Sequence, residues 1–173
     1  MLERYKGIDV LAEAWRIAGP QVPDAVLQLV GQGPGNAIVE RLVADVPAQT
    51  EWTPRLASAE VARALDDSTA LVLPSRSEGL PRIVIEAFCR ERPVIGTRAG
   101  GIPDIVEDRV SGVLVPPENP EALAAALVRV LSDPRLQRQL AEGARAGAAG
   151  WLQTPEQYAD RVRELVTRVA GGP

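Results

Sequence analysis

Glu78 and Glu86 stand eight positions apart in the stretch Ser75–Arg76–Ser77–Glu78–Gly79–Leu80–Pro81–Arg82–Ile83–Val84–Ile85–Glu86–Ala87. The apolar run Ala70–Leu73 upstream reads as a short buried strand. Pro81 suits the first turn of a helix, and Ile83–Ile85 with Ala87–Cys89 gives that helix an apolar surface. This junction predicts free backbone N–H groups around Gly79 and Leu80 at the helix start, where an anion is welcome. Eight residues at about 100° each return close to the starting direction, which predicts Glu78 and Glu86 on one side. An anion cradle flanked by two acceptor carboxylates suits a ligand carrying both phosphates and hydroxyls, as a nucleotide-sugar does. Taken singly, each glutamate has a plainer reading: Glu78 offsets a helix dipole and Glu86 is a solvated helix residue.

Lys6 is the only lysine of the chain, every other basic side chain being arginine. It precedes Gly7 at the start of the first helix, where it serves either as a point charge for phosphate or as an ordinary surface charge. The lone cysteine, Cys89, falls in the apolar run after Pro81 and reads as a small core residue rather than a nucleophile. Asp9 and Arg98 read as surface residues.

The elements that must position these groups alternate short apolar strands with longer amphipathic helices. Strands are expected at Ala25–Val30, Gln49–Trp52, Ala70–Leu73, Pro93–Thr97 and Gly112–Pro116, and helices at Ile8–Ala18, Ala37–Leu42, Ala57–Leu65 and Pro81–Arg90. A single turn is expected at Asp104–Glu107. Helices follow at Pro120–Leu131 and Pro134–Ala148, with Asp133–Pro134 as break and restart, and a last amphipathic segment runs over Pro155–Val169. Strand and helix in alternation imply an α/β domain, a doubly wound parallel sheet with helices on both faces and long helices at the C-terminal end. Such sheets bind ligands beyond the carboxyl ends of their strands. Gly31–Gly35, Thr53–Arg55, Pro74–Gly79 and Thr97–Ile102 all follow strands and gather on that rim. Glycines and prolines end strands everywhere, and Gly31–Gln32–Gly33 lacks the spacing of a dinucleotide fingerprint. The case for a ligand rests on the loops taken together.

Bulk properties narrow the chemistry. The chain has 173 residues, enough for one domain with a real core. Its formal charge of −4 supplies no basic excess for a nucleic-acid backbone. It contains no histidine, which removes Ser-His-Asp and Cys-His catalysis and His-dependent metal sites. One cysteine provides no disulfide framework and fits a reducing, cytoplasmic setting. No apolar run approaches the roughly 20 residues that span a bilayer, and no signal peptide is expected.

The ordered motifs resemble the C-terminal, donor-binding half of a retaining glycosyltransferase of family 4, which has the GT-B architecture of two facing Rossmann-like domains. The resemblance runs through Lys6–Leu11, Leu29–Pro34, Leu73–Pro81 with Glu86–Ala87, Pro93–Thr97, Gly100–Val106, Gly112–Pro117 and Ala122–Ala124, and covers 1–173 as a single domain. It implies that Glu86 holds the ribose hydroxyls and Glu78 the donor-sugar hydroxyls. Backbone amides of Gly79 and Leu80 receive the diphosphate, Lys6 neutralises it as it departs, and Gly31 and Gly33 border the nucleotide. Glu78 and Lys6 are thereby the candidate catalytic residues. The donor substrate is a nucleoside-diphosphate sugar, with no cofactor and no metal expected. Asp66–Asp67 precedes a strand rather than following one, unlike a metal-binding Asp-x-Asp. The implied acceptor is a sugar, lipid or small molecule.

Departures from the family pattern carry their own expectations. A Gly-Arg-Leu strand usually precedes the lysine; here Met1–Arg4 reads as the loop after it, and Arg4 is not at the matching position. Without that strand, Ala25–Val30 and Ala70–Leu73 lose their common neighbour in the usual 3-2-1-4-5-6 order. Glu91–Arg92 stands where a glycine commonly precedes the proline, and Asp104 replaces a common glutamate. Two functions of different class follow: the donor half of a transferase whose acceptor half lies elsewhere, even on a separate chain, or a non-catalytic module that binds nucleotide-sugars or a partner. A nucleotide-sugar epimerase of the same architecture is a weaker rival.

Overall fold

The computed structural model describes residues 2–152 and 154–170, so Met1, Gln153 and 171–173 of the expected single domain lie outside the described residues. All strand pairings among the described residues are parallel. β1 (Leu27–Val30) pairs with β2 (Thr50–Thr53), placing Leu27 opposite Thr50. In a second sheet β3 (Leu71–Leu73) pairs with β4 (Val94–Thr97), and β4 with β5 (Gly112–Val115). The helices are α1 (Ile8–Ala18), α2 (Asn36–Asp45), α3 (Ser58–Asp67), α4 (Arg82–Phe88), α5 (Ile102–Ile105), α6 (Pro120–Ser132), α7 (Pro134–Ala148) and α8 (Pro155–Ala170).

Both faces of the second sheet are covered, whereas β1 exposes Gln28 and Val30 on one side. β4 shows this residue by residue, because successive side chains of a strand point to opposite faces. Ile95 joins a core with Leu27, Leu29, Val115, Trp15 of α1, Leu42 of α2 and Leu127 of α6. Its neighbour Val94 joins a second core with Leu73, Leu114, Val84 and Phe88 of α4 and Ile102 of α5. Burial on both faces is why these strands read as continuous apolar runs. The Asp133–Pro134 restart occurs as expected: Asp133 Oδ1 accepts from the Arg135 and Leu136 N–H groups at 2.9 and 3.1 Å, capping α7.

The sheet is divided where the sequence departs from the family pattern. No described strand lies between β1 and β3, so each is paired on one side only. The N-terminal segment runs across the carboxyl ends of both. The Leu2 N–H donates to the Gln32 carbonyl just beyond β1 at 3.0 Å, and the Arg76 N–H just beyond β3 donates to the Tyr5 carbonyl at 2.7 Å.

Several boundaries differ from expectation. Pro81 is extended (φ −76°, ψ 91°) and caps α4 instead of lying inside it, so the helix starts at Arg82. The short helix expected at 104–107 lies at Ile102–Ile105, with Pro103 in its first turn. Cys89 is exposed rather than a core residue. It follows the end of α4 at Phe88, and Ala87 and Phe88 fill the buried face in its place. α8 is amphipathic as expected but buries none of its residues, leaving Tyr158, Leu165, Val166 and Val169 exposed.

The C-terminal turn of α4 explains the glycine usually found there. The Glu91 N–H donates to the Phe88 carbonyl and the Arg92 N–H to the Ala87 carbonyl, both at 2.9 Å, the bond pair of a Schellman motif. Glu91 occupies its left-handed position at φ 58°, where a side chain is strained. Glu91→Gly is expected to stabilise the chain by about 0.5–1 kcal/mol. Thermal unfolding checks this: a Tm rise of about 1–4 °C supports it and a fall contradicts it.

Candidate functional site

Lys6 and Glu78 are 72 residues apart in sequence and meet at the rim. Lys6 Nζ donates to Glu78 Oε1 at 2.5 Å. The Ser75 hydroxyl donates to the same oxygen at 2.8 Å. Ser75 is fully buried, and the Glu78 side chain is only 9% exposed, so the carboxylate is held from beneath. The Lys6 ammonium also lies 5.1 Å from the centre of the Tyr5 ring, within reach of a cation–π attraction.

Close backbone approaches bring these groups together. Gly7 has φ 68°, and a Cβ there would lie 2.0 Å from the Pro74 carbonyl oxygen. The turn carrying Lys6 is thus pressed onto the start of the loop carrying Glu78, at a distance that only glycine permits. From the other side, Gly100 and Gly101 lie under Glu78 and Gly79. A Cβ at Gly101 would stand 2.0 Å from the Gly79 carbonyl oxygen, and the Gly101 N–H donates to the Glu78 carbonyl at 3.0 Å. Thr97, buried at the end of β4, donates its hydroxyl to the Ser75 carbonyl at 2.5 Å. The loop after β3 is therefore clamped by the loops before α1 and after β4.

Glu78 precedes the first residue of α4, so the helical phase expected to align it with Glu86 does not apply. Glu86 is exposed on α4 and has no hydrogen-bond or ion-pair partner among the described residues. Gly79 and Leu80 precede the α4 cap and are not part of its first turn, so no helix dipole acts through them. Among the described residues their N–H groups donate no hydrogen bond, and a Cβ at Gly79 would meet nothing within 4 Å. Both residues are exposed. Gly31 and Gly33 are at the rim too, but their N–H groups are engaged, by the Thr53 carbonyl at 3.0 Å and Asn36 Oδ1 at 2.8 Å.

Asp9 and Arg76, which carried no signal in the sequence, form a bidentate pair with both contacts at 2.8 Å. Its hydrogen bonds to Arg76 hold the Asp9 carboxyl below the usual range against a smaller opposing effect of burial, and the same contact raises the Arg76 guanidinium. Arg98 is a surface residue as expected, paired with Asp108 at 2.7 Å. Among the described residues no group of three or more Cys, Asp or Glu side chains is placed to hold a metal ion. No helix among them is long and apolar enough to cross a membrane.

Gly101→Ala is expected to cost about 1–3 kcal/mol, because the Gly79 carbonyl must move to admit the methyl group; urea unfolding at wild-type stability contradicts this packing. The Asp9 carboxyl gives a pH signature. A depressed pKa contributes stability that is fully present above the ordinary value of 3.8 and is lost as pH falls through the folded value. The stability lost in Asp9→Asn is thus expected to be at most about 1 kcal/mol at pH 7, the pair being half exposed. Denaturant curves at pH 7 and pH 3 check it: the difference shrinks toward zero at the lower pH, and a gap that widens contradicts the pairing.

The chain is similar to known proteins over most of its length. The family model described as "Glycosyl transferases group 1" matches residues 1–147. D-inositol 3-phosphate glycosyltransferase of Saccharomonospora viridis is 29% identical over 190 residues, covering 94% of this chain and 44% of that protein. Sucrose-phosphate synthase from Thermosynechococcus elongatus superposes with a TM-score of 0.81 at 26% identity, over 98% of this chain and 44% of that one. HepE of Anabaena, solved with UDP-glucose, shares the fold with a TM-score of 0.81 at 20% identity, over 96% and 46% of the two chains. The chain thus spans less than half the length of these relatives. With the family model matched from the Lys6 turn through α7, the chain belongs to the group 1 glycosyl transferases.

Proposed function

We propose that this chain is the donor-binding half of a retaining glycosyltransferase of family 4, taking a nucleoside-diphosphate sugar and delivering its glycosyl group to an acceptor. The observation that carries the reading is the Lys6–Glu78 contact at 2.5 Å beside the undonated amides of Gly79 and Leu80. It puts a cation, hydrogen-bond donors and an acceptor carboxylate around one patch of open rim. Relatives support the ligand class: HepE was solved with UDP and with UDP-glucose, and TarM of S. aureus with UDP.

Each group has a physical task in this reading. When the bond between the anomeric carbon and the diphosphate oxygen breaks, its electron pair leaves on the diphosphate. Negative charge therefore grows at the phosphates, and Lys6 with the Gly79 and Leu80 amides is placed to stabilise it. Glu78, fixed by Ser75, accepts hydrogen bonds from the sugar hydroxyls. Glu86, exposed and unpartnered among the described residues, accepts from the ribose hydroxyls. Gly31 and Gly33 border the nucleotide through their carbonyl and Cα surfaces, their amides being engaged. No metal is given a role. The acceptor is a sugar, lipid or small molecule held by the complementary half, on the same polypeptide or on a partner chain. In the second reading the chain binds nucleotide-sugar without transfer.

Calorimetry with UDP tests the site. Wild type is expected to bind weakly, with Glu86→Ala and Lys6→Ala each weakening binding by about tenfold or more, the loss of one charge-assisted hydrogen bond. Gly79→Ala is expected to leave stability unchanged, because nothing lies near its Cβ, yet to weaken UDP binding. Equal affinity in wild type and Glu86→Ala would remove the ribose assignment, and rapid sugar transfer by the chain alone would remove the division of labour between halves.

A further inference from the structure

Arg76 lies between the two segments that carry Lys6 and Glu78, and its guanidinium is nearly saturated. Nη1 donates to the Arg4 carbonyl at 2.7 Å and to Asp9 Oδ1 at 2.8 Å, and Nη2 donates to Asp9 Oδ2 at 2.8 Å. Nε donates to Glu118 Oε1 at 2.9 Å, and the Arg76 backbone N–H donates to the Tyr5 carbonyl at 2.7 Å. Arg4 and Tyr5 immediately precede Lys6 and Asp9, the second residue of α1, follows it three residues on, while Arg76 itself sits between Ser75 and Glu78. Every contact but that to Glu118 therefore joins the Lys6 segment to the Glu78 loop. Glu118 brings in the loop between β5 and α6, and holds φ 56°, a conformation a non-glycine residue adopts only where its surroundings impose it.

The choice of side chain is informative. A surface ion pair alone stabilises little, and a lysine here could neutralise Asp9 as well. A planar fork is needed to bind both Asp9 oxygens, a carbonyl and a second carboxylate at once, which fixes orientation as well as charge. We propose that Arg76 is a positioning residue of the donor site: its guanidinium sets the spacing between the Lys6 turn and the Ser75–Glu78 loop, so that ammonium and carboxylate reach one ligand together. The proposal rests on the donor-site reading for its purpose, but its geometry is testable without any nucleotide.

The chain's single lysine makes the test direct. Reductive methylation with ¹³C-formaldehyde marks Lys6 and the N-terminal amine alone, and Glu78→Gln identifies the methyl resonance that depends on the Lys6–Glu78 contact. In Arg76→Lys and Arg76→Ala that resonance is expected to move most of the way to its Glu78→Gln position, with lysine failing to rescue, while circular dichroism shows a folded chain. Asp9→Asn, which keeps a single acceptor, is expected to move it part of the way. UDP affinity is expected to fall by about tenfold in Arg76→Lys, against a smaller change in Tm. A Lys6 resonance unchanged in both Arg76 variants overturns the proposal, and so does a resonance restored by lysine. Absence of UDP binding to wild type counts against the donor site only, and the methyl resonance still decides the role of Arg76.

Discussion

Everything at the rim depends on bringing a lysine and a glutamate 72 residues apart to within 2.5 Å. Charge alone does not do this, because a partly buried ion pair contributes on the order of 1 kcal/mol, far below the entropy of ordering two loops. The work is done by backbone packing. Gly7 lets the Lys6 turn touch Pro74, Gly101 lets the loop after β4 touch Gly79, and buried Ser75 and Thr97 tie the intervening segment to the end of the sheet. Lys6 and Glu78 then meet because their backbones have nowhere else to go. In the proposed donor site, the entropy of ordering these loops is thus spent on folding rather than on binding.

Among the described residues the N-terminal segment links the two sheets at their carboxyl rim. β1 and β3 share no ladder, yet residues 2–7 hydrogen-bond to the ends of both and carry Lys6 between them. The core that contains Leu27 and Leu29 of β1 with Ile95 of β4 and Val115 of β5 holds the two sheets in one frame. The rim is thus built from four strand ends and a single crossing segment.

Much of this was legible because its causes are local. Alternating apolar strands and amphipathic helices mark the doubly wound architecture, and the Asp133–Pro134 restart marks α7. Misreadings came where a backbone angle depended on distant contacts. The sequence puts Pro81 in the first turn of a helix, with the Gly79 and Leu80 amides at its start. Pro81 is instead extended, because the segment before it is pinned to Gly100 and Gly101, so Glu78 leaves the helical phase of Glu86. Cys89 was assigned to the core from an apolar run that outlasts its helix by a residue. Asp9 and Arg76 gave no signal at all, since a bidentate pair across 67 residues has no periodicity to read.

In the proposed donor site the undonated amides of Gly79 and Leu80 receive a diphosphate beside Lys6 and Glu78. Amide-resolved NMR during titration with UDP addresses it most directly. The account predicts that the Gly79 and Leu80 resonances shift most, followed by residues of the rim loops, with α7 and α8 unaffected. Shifts confined to residues away from the rim, with Gly79 and Leu80 unmoved at saturation, would contradict it.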